Sequence, residues 1–477
     1  IHKALLQCEL PIVTSKAPMV ERVGQAATVP ATAPSDGSRS TRAAPAPGVV
    51  PAAAARLEDM NPIITKEALL KLVNEGLKLR PLATTVQSLM SITSRAQCTA
   101  DDVANAIGSD QALSIRLLKL ASSTVYSRGH PVENVKDAVQ RMGIMEVRNT
   151  VTTLAVMHNY EGRIADYVDP WLFWEHSLAC GVLASLIAKT CHPNGKADYF
   201  LLGMLHEVGR LILIDHIPDK YAQVWEAADT TDQRLEIVEK KLLMMNHSEI
   251  LERALEHWHF PQELIIPVVN HHQSVANLKR LGPAYSHDAA IVALADRIAH
   301  AMLLGSSGND MVYPLEDVAD LLGLAEEAMR TLQAEGPKQT SALKVNLLVR
   351  GNLDAWPDFG LQLKAKLVRP IRPLCVSARP HLDAYKIFCE LLAENGGDEP
   401  PNVGVIYASD VRELDSLIPI YTAAEQKAGF EQFPIVIVKG KGKFNPDHAW
   451  LKSRNIVVLD APTSMKTLIN AFNRLLA

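Results

Sequence analysis

The feature that most constrains this chain's fold is a change of hydrophobic period near Lys338. Between Ile64 and about Ala334, apolar residues recur at helical spacing. Leu69, Leu70, Leu72 and Val73 precede a break at Arg80-Pro81, and Val103, Ile107, Leu113, Leu117, Leu118 and Leu120 mark a second helical stretch. Thr99 stands before Ala100-Asp101-Asp102, an N-cap followed by acid in the first turn. Pro170, Pro218, Pro261 and Pro283 punctuate later helices. After Lys338 short apolar runs alternate with amphipathic stretches. The runs are VNLLV (345–349), PLCVSA (373–378), NVGVIYA (402–408), PIVIV (434–438) and IVVLD (456–460). Five such β-α units predict a parallel sheet covered on both faces. The expected chain is multidomain: an all-α domain over 64–336, then an α/β domain over 342–477.

Upstream, residues 25–60 are rich in Ala, Pro, Ser and Thr and read as a flexible linker. Residues 1–24 carry a short strand-like piece, LPIVT, and read as the end of a further domain; the start at Ile1 fits an upstream segment. Hydrophobic residues make up 48% of 477, enough for sizeable cores. A net charge of −5 argues against bulk electrostatic binding to nucleic acid or anionic lipid. Six cysteines without a C-x-x-C pair read as reduced, mostly buried thiols. With no unbroken apolar run of spanning length and no secretory signal, a cytoplasmic location without membrane partners is expected.

The helical half carries polar residues in apolar surroundings. His176 lies in WLFWEHSLACGVLASLIA, His206-Glu207 in YFLLGMLHEVGRLILI, and His247 opens NHSEILERALEHW. His271-His272 lies in ELIIPVVNHHQS and Asp296 in AAIVALADRIAHAM. A charged or imidazole group inside an apolar helix needs a partner or shifts its pKa. For any one histidine, a backbone carbonyl or a neighbouring acid suffices. Several on separate helices can instead converge on a divalent metal, for which imidazole and carboxylate are good ligands. Asp296 and Arg297 can alternatively pair. His257, His259, His287 and His300 read as surface or packing residues, with His300, one turn after Asp296, the reserve ligand.

The order His176 … His206-Glu207 … Asp296, with MLHEVGRLIL around the doublet, resembles the HD superfamily of metal-dependent phosphohydrolases. The upstream stretches RPLATTVQSLMSI, DDVANAIGSDQALSIRLLKLASSTVY and HPVENVKDAVQRMGIMEVRN resemble the HDOD branch of it. The resemblance implies that His176, His206, Glu207 and Asp296 hold a divalent metal (Fe, Mn, Ni, Zn or Mg). It also places His247, His271 and His272 where the GYP variants carry additional ligands. HDOD domains are regulatory modules of bacterial signalling, so the implied function is non-catalytic binding of a protein partner or small nucleotide ligand, with a possible homodimer. The alternative is a phosphohydrolase acting on a nucleotide or cyclic dinucleotide, with Glu207 and Arg210 in the catalytic site. Several departures weaken that alternative: Glu207 replaces Asp, Arg210 replaces Lys, HHQS lacks the HHE glutamate, and no GYP triplet follows. Gln111 and Ser122 depart mildly from the HDOD signature.

The C-terminal half resembles the receiver fold, flavodoxin-like and five-stranded. Ligands of open α/β sheets bind beyond the strands' carboxyl ends. There Asp354, Asp410 and Asp460 stand out of register with a phosphoacceptor motif, and Asp354 and Asp410 suit helix N-termini. A degenerate receiver is expected. The KGKGK run at 439–443 reads as a solvated turn.

Overall fold

The structure is a computed structural model describing residues 56–79, 84–95, 97–122, 132–160, 168–195, 197–347, 356–394, 399–429, 432–440 and 449–477. Residues 1–24, most of the expected linker, Asp354 and the end of the KGKGK run lie outside the described residues.

The helical half follows its sequence signals. Thr99 caps helix Ala100–Gly108 through a reciprocal box: its hydroxyl accepts from the Asp102 amide, and Asp102 accepts from the Thr99 amide at 2.9 Å. At the centre runs helix Pro170–Cys191, capped by Asp169 with Pro170 at its first position. It is apolar on nearly every side and buried accordingly. By length and composition it is long and apolar enough to cross a membrane, contrary to the sequence expectation, but its most apolar window is 78% buried among other helices. Helices Tyr199–Leu205, Ser286–Ala301 and Glu326–Leu347 pack against it. The first of these contacts is unusually close. A Cβ on Gly203 would lie 2.5 Å from the Cys180 carbonyl and from the Gly181 amide. Only glycine lets the two backbones touch there.

The C-terminal region holds a four-stranded parallel sheet in the order β2 (Pro373–Val376), β3 (Val403–Ala408), β4 (Ile435–Lys439), β5 (Ile456–Asp460). Val405 is registered with Val436 and Tyr407 with Val438. That face joins the main core together with helices Ala384–Leu392 and Met465–Leu476. Ile406, Ala408, Ile435 and Ile437 face the other way, onto Leu414, Leu417 and Tyr421 of helix Val411–Lys427. A two-residue antiparallel pair, β1 (Met311–Val312) with β6 (Thr463–Ser464), ties this region to the helical body.

The five-stranded expectation is corrected here. Residues 345–347 of the expected first strand continue helix Glu326–Leu347, and 348–349 lie outside the described residues. A five-residue apolar run does not by itself distinguish a strand from the end of a helix. In addition, β2 pairs directly with β3, where a flavodoxin-like order inserts the first strand between them.

Candidate metal centre

The seven expected site residues come from five separate segments. His176 projects from the middle of the central helix. The His206-Glu207 doublet, expected within one helix, sits at the break between Tyr199–Leu205 and Val208–His216. His247 opens helix His247–His257, whose Asn246–Glu249 capping box fixes its start. His271 and His272 lie in the turn after helix Gln262–Val269. Asp296 points from helix Ser286–Ala301. All seven come together in the interior as two adjoining groups. His206 and His271 connect them, their ring centroids 5.0 Å apart.

In the first group Asp296 is the hub. Its Oδ1 lies 3.2 Å from His176 Nε2, 3.5 Å from His206 Nε2 and 3.2 Å from His300 Nε2. Cys180, one turn beyond His176, brings its Sγ to 3.5 Å from His176 Nε2. The ligand atoms of His176, Cys180, His206 and Asp296 all lie within 4.8 Å of one another. In the second group Glu207, His247, His271 and His272 meet the same limit. His247 Nε2 is 3.4 Å from Glu207 Oε2. Arg210 Nη1 clamps the other Glu207 oxygen at 2.8 Å and also donates to the Ser307 hydroxyl and carbonyl. Apart from the half-buried His272, no residue of the two groups exceeds 2% exposure.

The protons are placed so that lone pairs face inward. His206 Nδ1 donates to the Gly203 carbonyl and His271 Nδ1 to the Val268 carbonyl, each at 2.6 Å. His247 Nδ1 donates to Glu239 Oε2, also at 2.6 Å. A carbonyl only accepts, so Nδ1 carries the hydrogen and Nε2 keeps its lone pair. Among the described residues, the Nε2 atoms of His206, His247, His271 and His272 and Glu207 Oε2 are buried without a hydrogen-bond partner. Leaving such groups unsatisfied costs about 1–3 kcal/mol each, a penalty that a cation drawing on these lone pairs removes. Imidazole, carboxylate and thiol donors in this arrangement fit a divalent metal.

The electrostatics of His176, His271 and His272 point the same way, whereas at His206 burial is outweighed by Asp296 and Glu207, which raise its pKa. Burial pulls His176 down to about 4 against the opposing pull of Asp296. Burial, then His206, takes His271 down to about 3. Burial, then His271 and His247, drives His272 well below its usual value. These imidazoles are neutral at pH 7, the form that ligates. Burial would raise Asp296 and Glu207, but the surrounding imidazoles, His300 first, outweigh it for Asp296, and Arg210, then His247, for Glu207. Both carboxylates are held ionised.

Five residues add to or depart from the sequence reading. Arg210, placed in the catalytic site by the phosphohydrolase alternative, donates to Glu207 at 2.8 Å. Arg297 pairs with Asp317 at 2.6 Å and the Pro314 carbonyl, not with Asp296. His300 is in the site, as its spacing from Asp296 allowed. Cys180 and Glu239 were not foreseen. The spacing of Cys180 from His176 (HSLAC) carried a signal, whereas Glu239 reaches the site from helix Leu235–Leu243 with no local motif. His257 and His259 are exposed, as expected.

The HDOD domain family matches residues 79–274. Those residues form an HDOD domain. Asp296 and His300 complete the site from beyond the matched HDOD segment. A crystal structure of an HDOD domain protein of unknown function from Geobacter sulfurreducens is 22% identical, with a TM-score of 0.50, covering 60% of this chain and 100% of that one. This likeness concerns the fold. The MmoQ response regulator of Methylococcus capsulatus is 26% identical with a TM-score of 0.30, covering 54% of this chain and 98% of that one. An uncharacterized protein of Treponema pallidum is 23% identical over 198 residues, 41% of this chain. That match spans only 37% of the Treponema protein's length.

Proposed function

We propose that this chain is a bacterial signalling regulator whose HDOD domain acts by binding rather than turnover, around a buried divalent-metal centre. His176, His206 and Asp296 belong to one site, Glu207, His247, His271 and His272 to the other. The observation that carries the reading is burial: apart from His272, every donor is at most 2% exposed. A metal that hydrolyses a phosphoester must meet both water and substrate, and a substrate larger than water cannot reach atoms so enclosed. The bound partner is a protein or a small nucleotide. The α/β region over 342–477 would serve as a docking surface in the manner of a degenerate receiver. There Asp410 caps helix Val411–Lys427 and Asp460 pairs with Lys439, so both have structural roles.

One observation favours a phosphohydrolase instead: two four-donor groups side by side suit a two-metal clamp on an in-line displacement. Metal analysis of the purified chain together with a hydrolysis screen of nucleotides and cyclic dinucleotides separates the two. Stoichiometric metal without turnover is expected. Turnover that disappears in His206→Ala would overturn the regulator in favour of the enzyme.

A further inference from the structure

Cys180 stands outside the His, His-Asp, Asp pattern of the resemblance, yet it sits fully buried inside the first group. Its position follows from the helix. Residues four apart share one face, so His176 and Cys180 of the central helix present a nitrogen and a sulfur to the same point. The Gly203–Cys180 backbone contact brings His206 against that face, and Asp296 closes it from helix Ser286–Ala301.

The donor separations are informative. Tetrahedral zinc bonds of about 2.3 Å to sulfur and about 2.1 Å to nitrogen or oxygen set neighbouring donors about 3.6 Å apart for S···N and about 3.4 Å apart for N···O. Here the corresponding distances are 3.5 Å for Cys180 Sγ to His176 Nε2, and 3.2 and 3.5 Å from Asp296 Oδ1 to His176 and His206 Nε2. At 3.5 Å the contact of His206 Nε2 with Asp296 Oδ1 is long for a hydrogen bond. Moreover, His206 Nε2 forms none. These three separations match those of ligands of one small ion, and all four atoms lie within 4.8 Å of one another.

We propose that Cys180 is the fourth ligand of the first site, making His176–Cys180–His206–Asp296 a closed, thiolate-bearing tetrahedral centre that takes Zn²⁺. The inference rests on the metal reading given above and goes further, naming the ion class and the role of the site. A thiolate selects a borderline-soft cation over Mg²⁺ or Mn²⁺. Four protein ligands leave no open position, as in structural zinc sites. His300, which touches Asp296 from one turn away, orients that carboxylate. The neighbouring Glu207–His247–His271–His272 group has no sulfur, so the two sites differ in metal preference.

The test is Co²⁺ titration of the chelator-treated full chain, followed by absorption. Expected are the intense ligand-field bands of tetrahedral cobalt and a sulfur-to-cobalt charge-transfer band whose intensity corresponds to one thiolate per chain, displaced by Zn²⁺. Cys180→Ser should abolish the charge-transfer band, and Cys191→Ser, outside the site, should retain it. Cobalt binding with no charge-transfer band, or with a band that persists in Cys180→Ser, overturns the role of Cys180 while leaving the metal reading intact. No cobalt or zinc bound at all overturns both. Should the serine variant not fold, the wild-type spectrum alone still decides whether a thiolate is bound.

Discussion

At the residue scale the centre depends on side chains that touch no ion. Glu239 accepts both the His247 amide and its Nδ1–H, and Tyr221 donates to its other oxygen. It thereby fixes the tautomer of His247. Loss of such an orienting group typically costs about 10–100-fold in metal affinity. Glu239→Ala should therefore weaken the second site by that factor in a competitive chelator titration and leave the cobalt–sulfur signal of the first unchanged. Arg210 is fully buried against Glu207. Arg210→Met leaves that carboxylate without its cation, and a broken buried pair costs about 3–5 kcal/mol. A matching fall in unfolding free energy by urea denaturation is expected; an unchanged midpoint would contradict the clamp. Legibility also varied at this scale. The imidazoles and acids stood out because an ionisable group within an apolar run needs a reason. Cys180 did not, because a cysteine in such a run is ordinary, and Glu239 looked like any charge on an amphipathic helix.

At the element scale the site depends on how closely two helices approach. Gly203→Ala places a methyl 2.5 Å from the Cys180 carbonyl, so the helices carrying His176 and His206 must separate. Overpacking of this kind costs about 1–3 kcal/mol. Its urea midpoint should fall and its metal affinity with it, whereas Gly108→Ala, with open space around the added carbon, should not destabilise. Capped and strongly periodic elements were legible from the sequence: Thr99 starts a helix where its side chain can accept an amide, and Pro170 takes the first position of another. The run at 345–349 was not, because a short apolar strand and the end of a helix look alike over five residues. The break at His206-Glu207 was equally hidden, since the apolar pattern runs on through it.

At the scale of the whole molecule, acids lie where the α/β region meets the helical body. Burial, then hydrogen bonding that opposes it, leaves Asp383 raised to about 6. Burial, then Glu413 and Asp383, raises Glu316 to about 7. A carboxyl raised on folding contributes stability that is fully present below its unfolded pKa and is lost as pH rises through the folded value. The Asp383 contribution therefore fades between about pH 4 and pH 6. Asn retains the capping oxygen and does not ionise, so the stability of Asp383→Asn relative to wild type should rise from pH 4.5 to about pH 7. Paired urea curves at those two pH values check this; a constant difference would contradict it.

The central claim is that side chains from five separate segments hold metal in the protein interior. Anomalous diffraction at the absorption edge of the bound metal, on crystals of the full chain, tests it most directly. A peak enclosed by His176, Cys180, His206 and Asp296 is expected, with a second beside Glu207, His247, His271 and His272 when that site is loaded. Histidines and acids bonded only to one another, with no peak between them after metal soaking, would contradict it.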